Sequence, residues 1–68
     1  MQDKSDVIVS PETTLEEAMQ SIGRNGLGII FVVDEDERLL GTVTDGDIRR
    51  SLLAGNDVTD SVRGVANT

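Results

Sequence analysis

The sequence contains no cysteine and no histidine. Without thiols there is no disulfide and no thiolate metal site. Without imidazole, the commonest metal ligand and the usual acid–base group near neutral pH are both gone. Ser21, Ser51 and Ser61 have no histidine to activate them, so a serine nucleophile is not expected, and neither is an enzyme. Tryptophan and tyrosine are also missing, which leaves Phe31 as the single aromatic. Thirteen acids against six bases give a net charge of −7. Such a surface repels a phosphate backbone and offers almost nothing for bases to stack on, so nucleic acid is not an expected partner. The longest apolar run, residues 27–33, is far too short for a membrane span, and no basic start leads into an apolar leader. A cytoplasmic location without membrane contact is the expectation.

What is present fits one small domain over residues 1–68. A chain of this size buries only roughly 60% of its unfolded surface, so a partner surface or the rest of a longer protein is expected to support it. Residues 6–9 (DVIV) read as a short strand that Ser10-Pro11 ends. Leu15, Ala18, Met19 and Ile22 recur at helical spacing on one face. Thr13 with Glu16, or Thr14 with Glu17, fits a capping box at the start of that helix, and Asn25-Gly26 fits its stop. Residues 28–33 (GIIFVV) are β-branched and aromatic, apolar on both faces, with Ile29, Phe31 and Val33 on one and Ile30 and Val32 on the other. Strands of that kind are covered on both sides. An acidic turn at residues 34–38 predicts a hairpin to the next strand, residues 39–44 (LLGTVT). Asp45-Gly46 reads as a turn, after which Ile48, Leu52 and Leu53 line a second helix ended by Gly55. The core is therefore expected within about residues 6–55. The tail, residues 56–68, carries Val58, Val62 and Val65 and is read as a short turn against the body. The order is strand, helix, strand, strand, helix: an α/β (α+β) domain with two helices on one face of a three-stranded sheet. The other face of strand 28–33 lacks a cover within the chain, which predicts a partner docked on the sheet.

Chemistry concentrates in residues 41–50 (GTVTDGDIRR), where a strand runs into a helix. The helix start offers free N–H groups and partial positive charge to a phosphate, with the Thr44 hydroxyl as an added donor. Asp47 has the chemistry to accept both hydroxyls of a ribose diol, and Arg49 and Arg50 to pair with phosphate. The same Thr44-x-x-Asp47 spacing is also a capping box that needs no ligand, and the two arginines also suit a solvated helix face. Two other patterns fail. Gly26-x-Gly28-x-x-Phe31 ends in Phe and precedes a strand, unlike a dinucleotide fingerprint. The run at residues 34–37 has Leu39 where a calcium loop requires Gly.

At Val32-Val33-Asp34, followed by Leu39-Leu40-Gly41-Thr42-Val43-Thr44-Asp45-Gly46-Asp47-Ile48-Arg49-Arg50, the chain resembles the CBS (cystathionine-β-synthase) domain family. Residues 9–18 also look like that family's first strand and helix, and the likeness runs from about residue 6 to residue 55. Gly26-Leu27-Gly28-Ile29 together with the Thr44–Arg50 stretch looks most like CBS segments attached to sugar-phosphate nucleotidyltransferases, with sugar-phosphate isomerases second. The resemblance implies the β-α-β-β-α fold and pairing through the sheet with a second CBS domain, either an identical chain or a tandem copy. It implies a non-catalytic regulatory module that binds an adenine nucleotide or related adenosyl ligand (AMP, ADP, ATP or S-adenosylmethionine) and modulates an attached enzyme. The alternative it leaves is a structural dimerisation module without ligand. Carried over residue by residue, Thr44 and Asp47 contact phosphate and ribose, and Gly41 lets the ligand approach. Ile8, Val9, Ile29, Ile30 and Phe31 enclose adenine, and Arg49 stands near phosphate. Phe31 occupies a position where many ligand-binding members have proline, and its ring would fill or reshape that pocket. The end of the chain, residues 62–68, looks like the approach to a second domain, so a piece of a longer protein is expected.

Overall fold

The computed structural model describes residues 6–67; the first five residues and Thr68 of the expected domain lie outside the described residues. Three strands, β1 (Ile8–Val9), β2 (Ile29–Val33) and β3 (Leu39–Thr44), form one sheet in the order β1-β2-β3. β1 runs parallel to β2, with Ile8 beside Phe31 and Val9 beside Val32. β2 and β3 form the expected antiparallel hairpin, with Ile29 beside Thr44 and Ile30 beside Val43. The register shifts between Val32 and Val33, which face Gly41 and Leu39; the extra residue, Leu40, makes a bulge that only the pairing reveals.

Helix α1 (Leu15–Asn25) follows β1, and helix α2 (Asp45–Leu53) follows β3. Of the two capping boxes available to α1, the one formed is Thr14 with Glu17: the Thr14 hydroxyl accepts from the Glu17 N–H at 3.2 Å and the Glu17 carboxylate accepts from the Thr14 N–H at 2.9 Å. Gly26, at φ 68°, closes the last turn in the left-handed conformation, which glycine adopts without steric cost. The buried Asn25 does more than stop the helix. Its Oδ1 accepts from the Leu27 N–H at 2.7 Å and its Nδ2 donates to the Ile29 carbonyl at 3.2 Å, which fixes the path of the chain into β2.

Both helices cover the same face of the sheet. The core gathers Leu15, Ala18 and Ile22 from α1, Ile48 from α2, and Val9, Ile30, Val32 and Val43 from the strands. On the other face Ile29, Phe31 and Val33 are only half-buried, as the unshielded apolar face of β2 predicts. Leu53 does not line α2: it is 83% exposed, because five residues from Ile48 is about 140° round a helix. Asp45-Gly46 is not a turn either. Thr44 caps α2 directly and both residues belong to its first turn.

Residues 56–67 are part of the domain rather than an appendage. Val62, in a short 3₁₀ turn at Val62–Gly64, is fully buried among the core residues, so the core extends past its expected end at residue 55. The carbonyls of Asp60 and Val58 accept from the first N–H groups of α1, Leu15 at 2.8 Å and Glu16 at 3.0 Å. These are donors that a helix start leaves without intrahelical partners. The chain then returns to β3, where the Thr42 N–H donates to the Asn67 carbonyl at 3.0 Å and the Asn67 N–H donates to the Thr42 carbonyl at 2.9 Å. Gly41 makes this approach possible, since a Cβ there would lie 2.6 Å from the Asn67 carbonyl oxygen. Gly41→Ala is expected to push residues 66 and 67 off β3 at a cost of about 1–3 kcal/mol, as overpacking does. Amide hydrogen exchange checks it: protection should fall at Thr42 and Asn67 and persist at Val43 and Ile30.

Candidate functional site

The strand-to-helix junction is built by backbone geometry at one residue. Thr44 ends β3 in an extended conformation and is at the same time the N-cap of α2. Its hydroxyl accepts from the Asp47 N–H at 3.2 Å, and the Asp47 Oδ2 accepts from the Thr44 N–H at 2.9 Å. The capping reading of this spacing is therefore realised. The Asp47 carboxylate also accepts from the Asn67 Nδ2 at 2.9 Å through Oδ2, and from the Arg50 guanidinium through Oδ1. Its side chain is only 9% exposed. The Thr44 hydroxyl, which accepts in the cap, also hydrogen-bonds the Asp47 carboxylate.

The electrostatics of the junction are nearly balanced. The partial positive charge of the α2 start meets Asp45 and Asp47 in its first turn. Arg49 pairs with Asp45 at 2.8 Å on an exposed face, and Arg50 pairs with Asp47. Arg49, expected near a phosphate, is thus committed to a solvated i,i+4 pair. The balance suits a neutral diol at Asp47 better than a bare anion.

The sheet register decides which apolar candidates share the junction. Ile29 pairs with Thr44 and Phe31 with Thr42, and Ile8 pairs with Phe31. These half-buried residues alternate with the core residues and occupy the sheet face away from the helices. Val9 and Ile30 lie on the opposite side. Ile30 is 0% exposed and both belong to the hydrophobic core. Their expected place in an adenine wall is corrected by strand alternation, which gives Ile8, Ile29 and Phe31 one face and Val9 and Ile30 the other. The room left by Gly41 is taken by the chain itself, at Asn67. Sequence reasoning missed Asn67 altogether. It lies 20 residues from Asp47, and no local pattern reports such a contact.

The chain matches the CBS domain family over residues 3–54. It belongs to that family. Membership makes this segment a regulatory, non-catalytic CBS module. Two relatives are sugar-phosphate isomerases by name. Over 50 residues the CBS domain is 42% identical to arabinose 5-phosphate isomerase GutQ of Salmonella typhi, covering 74% of this chain and 16% of that protein. Over 46 residues it is 48% identical to arabinose 5-phosphate isomerase KdsD of Pseudomonas aeruginosa, covering 68% of this chain and 14% of that protein. The chain thus spans less than a fifth of these relatives. A solved CBS domain protein from Pyrobaculum aerophilum complexed with AMP superimposes with a TM-score of 0.84 at 22% identity, over 91% of this chain and 49% of that one. That likeness is one of fold. The carrier expected first, a nucleotidyltransferase, finds no counterpart in these relatives, whose enzyme is an isomerase.

Hydrogen bonding holds two carboxylates below their usual range: Asp47 mainly through the Thr44 N–H, and Glu17 through the Thr14 N–H and hydroxyl. A carboxylate whose folded value is depressed adds stability above its unfolded value and loses it as pH falls through the folded value. Thermal melts from neutral pH downward should therefore show stability falling below about pH 4. Asp47→Asn, with nothing to titrate at that position, is expected to lose less on acidification than the parent, with Glu17 supplying the remaining fall. Parallel acid limbs in the two proteins would refute the assignment.

Proposed function

We propose that this CBS domain is an adenosine-ligand sensor that pairs through the open face of its sheet with a second CBS domain and modulates an attached sugar-phosphate isomerase. The observation that carries the reading is the register of Ile29 beside Thr44. It puts Ile29 beside Thr44, the residue hydrogen-bonded to Asp47, on the sheet face that Ile8 and Phe31 share. An adenine ring takes the apolar side and a ribose diol takes Asp47, with phosphate toward the Thr44 hydroxyl. AMP in the Pyrobaculum protein of the same fold supports the ligand class, and the isomerase relatives support the carrier. Pairing follows from the half-buried Ile29, Phe31 and Val33, which a second sheet would finish covering.

A second reading, a pairing module without ligand, is favoured by one observation: the chain's own donors already occupy Asp47. An NMR titration of the isotope-labelled chain with AMP, ADP, ATP and S-adenosylmethionine separates the two. Saturable amide shifts at residues 41–47 and along β2 are expected. Asp47→Ala should weaken that binding by about 1–3 kcal/mol, the cost of a buried polar partner left unpaired. Silence with all four ligands, in a sample confirmed as a dimer, would leave the pairing module.

A further inference from the structure

The acceptor places of Asp47 are nearly full before any ligand arrives. Oδ2 accepts from the Thr44 N–H and from Asn67 Nδ2, both at 2.9 Å, and Oδ1 accepts from Arg50. An ionised carboxylate offers about four lone-pair sites, two on each oxygen. A ribose diol bound across the carboxylate needs one place on each oxygen, and Oδ2 has none left. One of its two donors must leave. The Thr44 N–H is fixed in the cap of α2. Asn67 is an exposed residue, held by two backbone hydrogen bonds to Thr42 and by this one side-chain contact. The same segment lies flush against Gly41, so it also occupies the room that the missing side chain leaves on β3.

We propose that residues 66 and 67 form a latch over the Asp47 carboxylate: a ribose diol reaches Asp47 only by displacing Asn67, so that occupancy releases this segment from β3. The proposal rests on the nucleotide reading above and adds its regulation. Binding becomes a competition within the chain, and apparent affinity is reduced by the fraction of molecules with the latch closed. The released segment leads back through Val65 and Ala66 to the buried Val62. Occupancy of the site is thereby transmitted to residues 62–67.

The test pairs AMP affinity with hydrogen exchange at the Thr42 amide, whose acceptor is the Asn67 carbonyl. Asn67→Ala leaves the backbone groups of the bridge in place and changes an exposed side chain, so the domain should still fold. It is expected to bind AMP about three- to tenfold more tightly than the parent, the equivalent of one ordinary net hydrogen bond. In the parent, saturating AMP is expected to speed exchange at Thr42, whereas 2′,3′-dideoxy-AMP, which lacks the diol, should leave it unchanged. Equal AMP affinity in the two proteins, with Thr42 still protected in the complex, overturns the latch and leaves the nucleotide site standing. Absence of AMP binding in both overturns the nucleotide reading, and the latch with it.

Discussion

Ile30, Val32 and Val43 can bury their side chains in only one direction, and the two short helices are long enough to cover that side alone. Everything else in the domain is arranged around this single layer of contact. Leu15, Ala18, Ile22 and Ile48 close it from above, and Val62 completes it from the far end of the chain. Apolar burial contributes roughly 1.5–3 kcal/mol per fully buried aliphatic side chain. So small a set, set against the entropy of ordering the chain, leaves a thin margin. The half-buried Ile29, Phe31 and Val33 on the opposite face are the consequence, and pairing through that face is the economical way to extend the core.

The same economy explains why the end of the chain is folded back. The start of α1 would otherwise leave backbone donors without partners, and the carbonyls of Val58 and Asp60 supply them. Val62 is anchored by that contact, and the path beyond it leads residues 66 and 67 to β3. The junction of β3 and α2 is thereby closed on itself. Thr44 and Asp47 satisfy each other, while Arg50 and Asn67 complete the carboxylate's shell. A junction satisfied in this way holds together on its own bonds, and in the proposed reading a ligand enters only by exchange of partners. In that reading the structural cap and the binding site share one set of hydrogen bonds.

Local order was written in local patterns. The 3.6-residue spacing of Leu15, Ala18 and Ile22, the doubly apolar β2, the hairpin and the Thr44-x-x-Asp47 capping pattern are legible, because each depends on residues a few positions apart. Where two local solutions were equivalent, sequence alone could not choose. Thr13 with Glu16 and Thr14 with Glu17 offer the same box, and the capping of Leu15 and Glu16 by the distant Asp60 and Val58 carbonyls sets which one forms. Leu53 falls about 140° round the helix from Ile48 and so outside the buried stripe, whereas Asp45-Gly46 falls inside the first turn because Thr44 itself is the cap.

The sequence by itself determined the element order, the face that the first helix buries, the shortage of cover on the sheet, the exclusion of thiol and imidazole chemistry, and the family. These follow from residue chemistry and short-range periodicity, which the chain carries wherever it goes. Only the tertiary structure decided that Val9 and Ile30 turn into the core while Ile8, Ile29 and Phe31 share the opposite face with Thr44, because parallel and antiparallel register fix side-chain alternation across strands far apart in sequence. Only the tertiary structure placed Asn67 on Asp47 and against Gly41. Contacts of that range have no local signature, since their geometry exists only after the chain between them has folded.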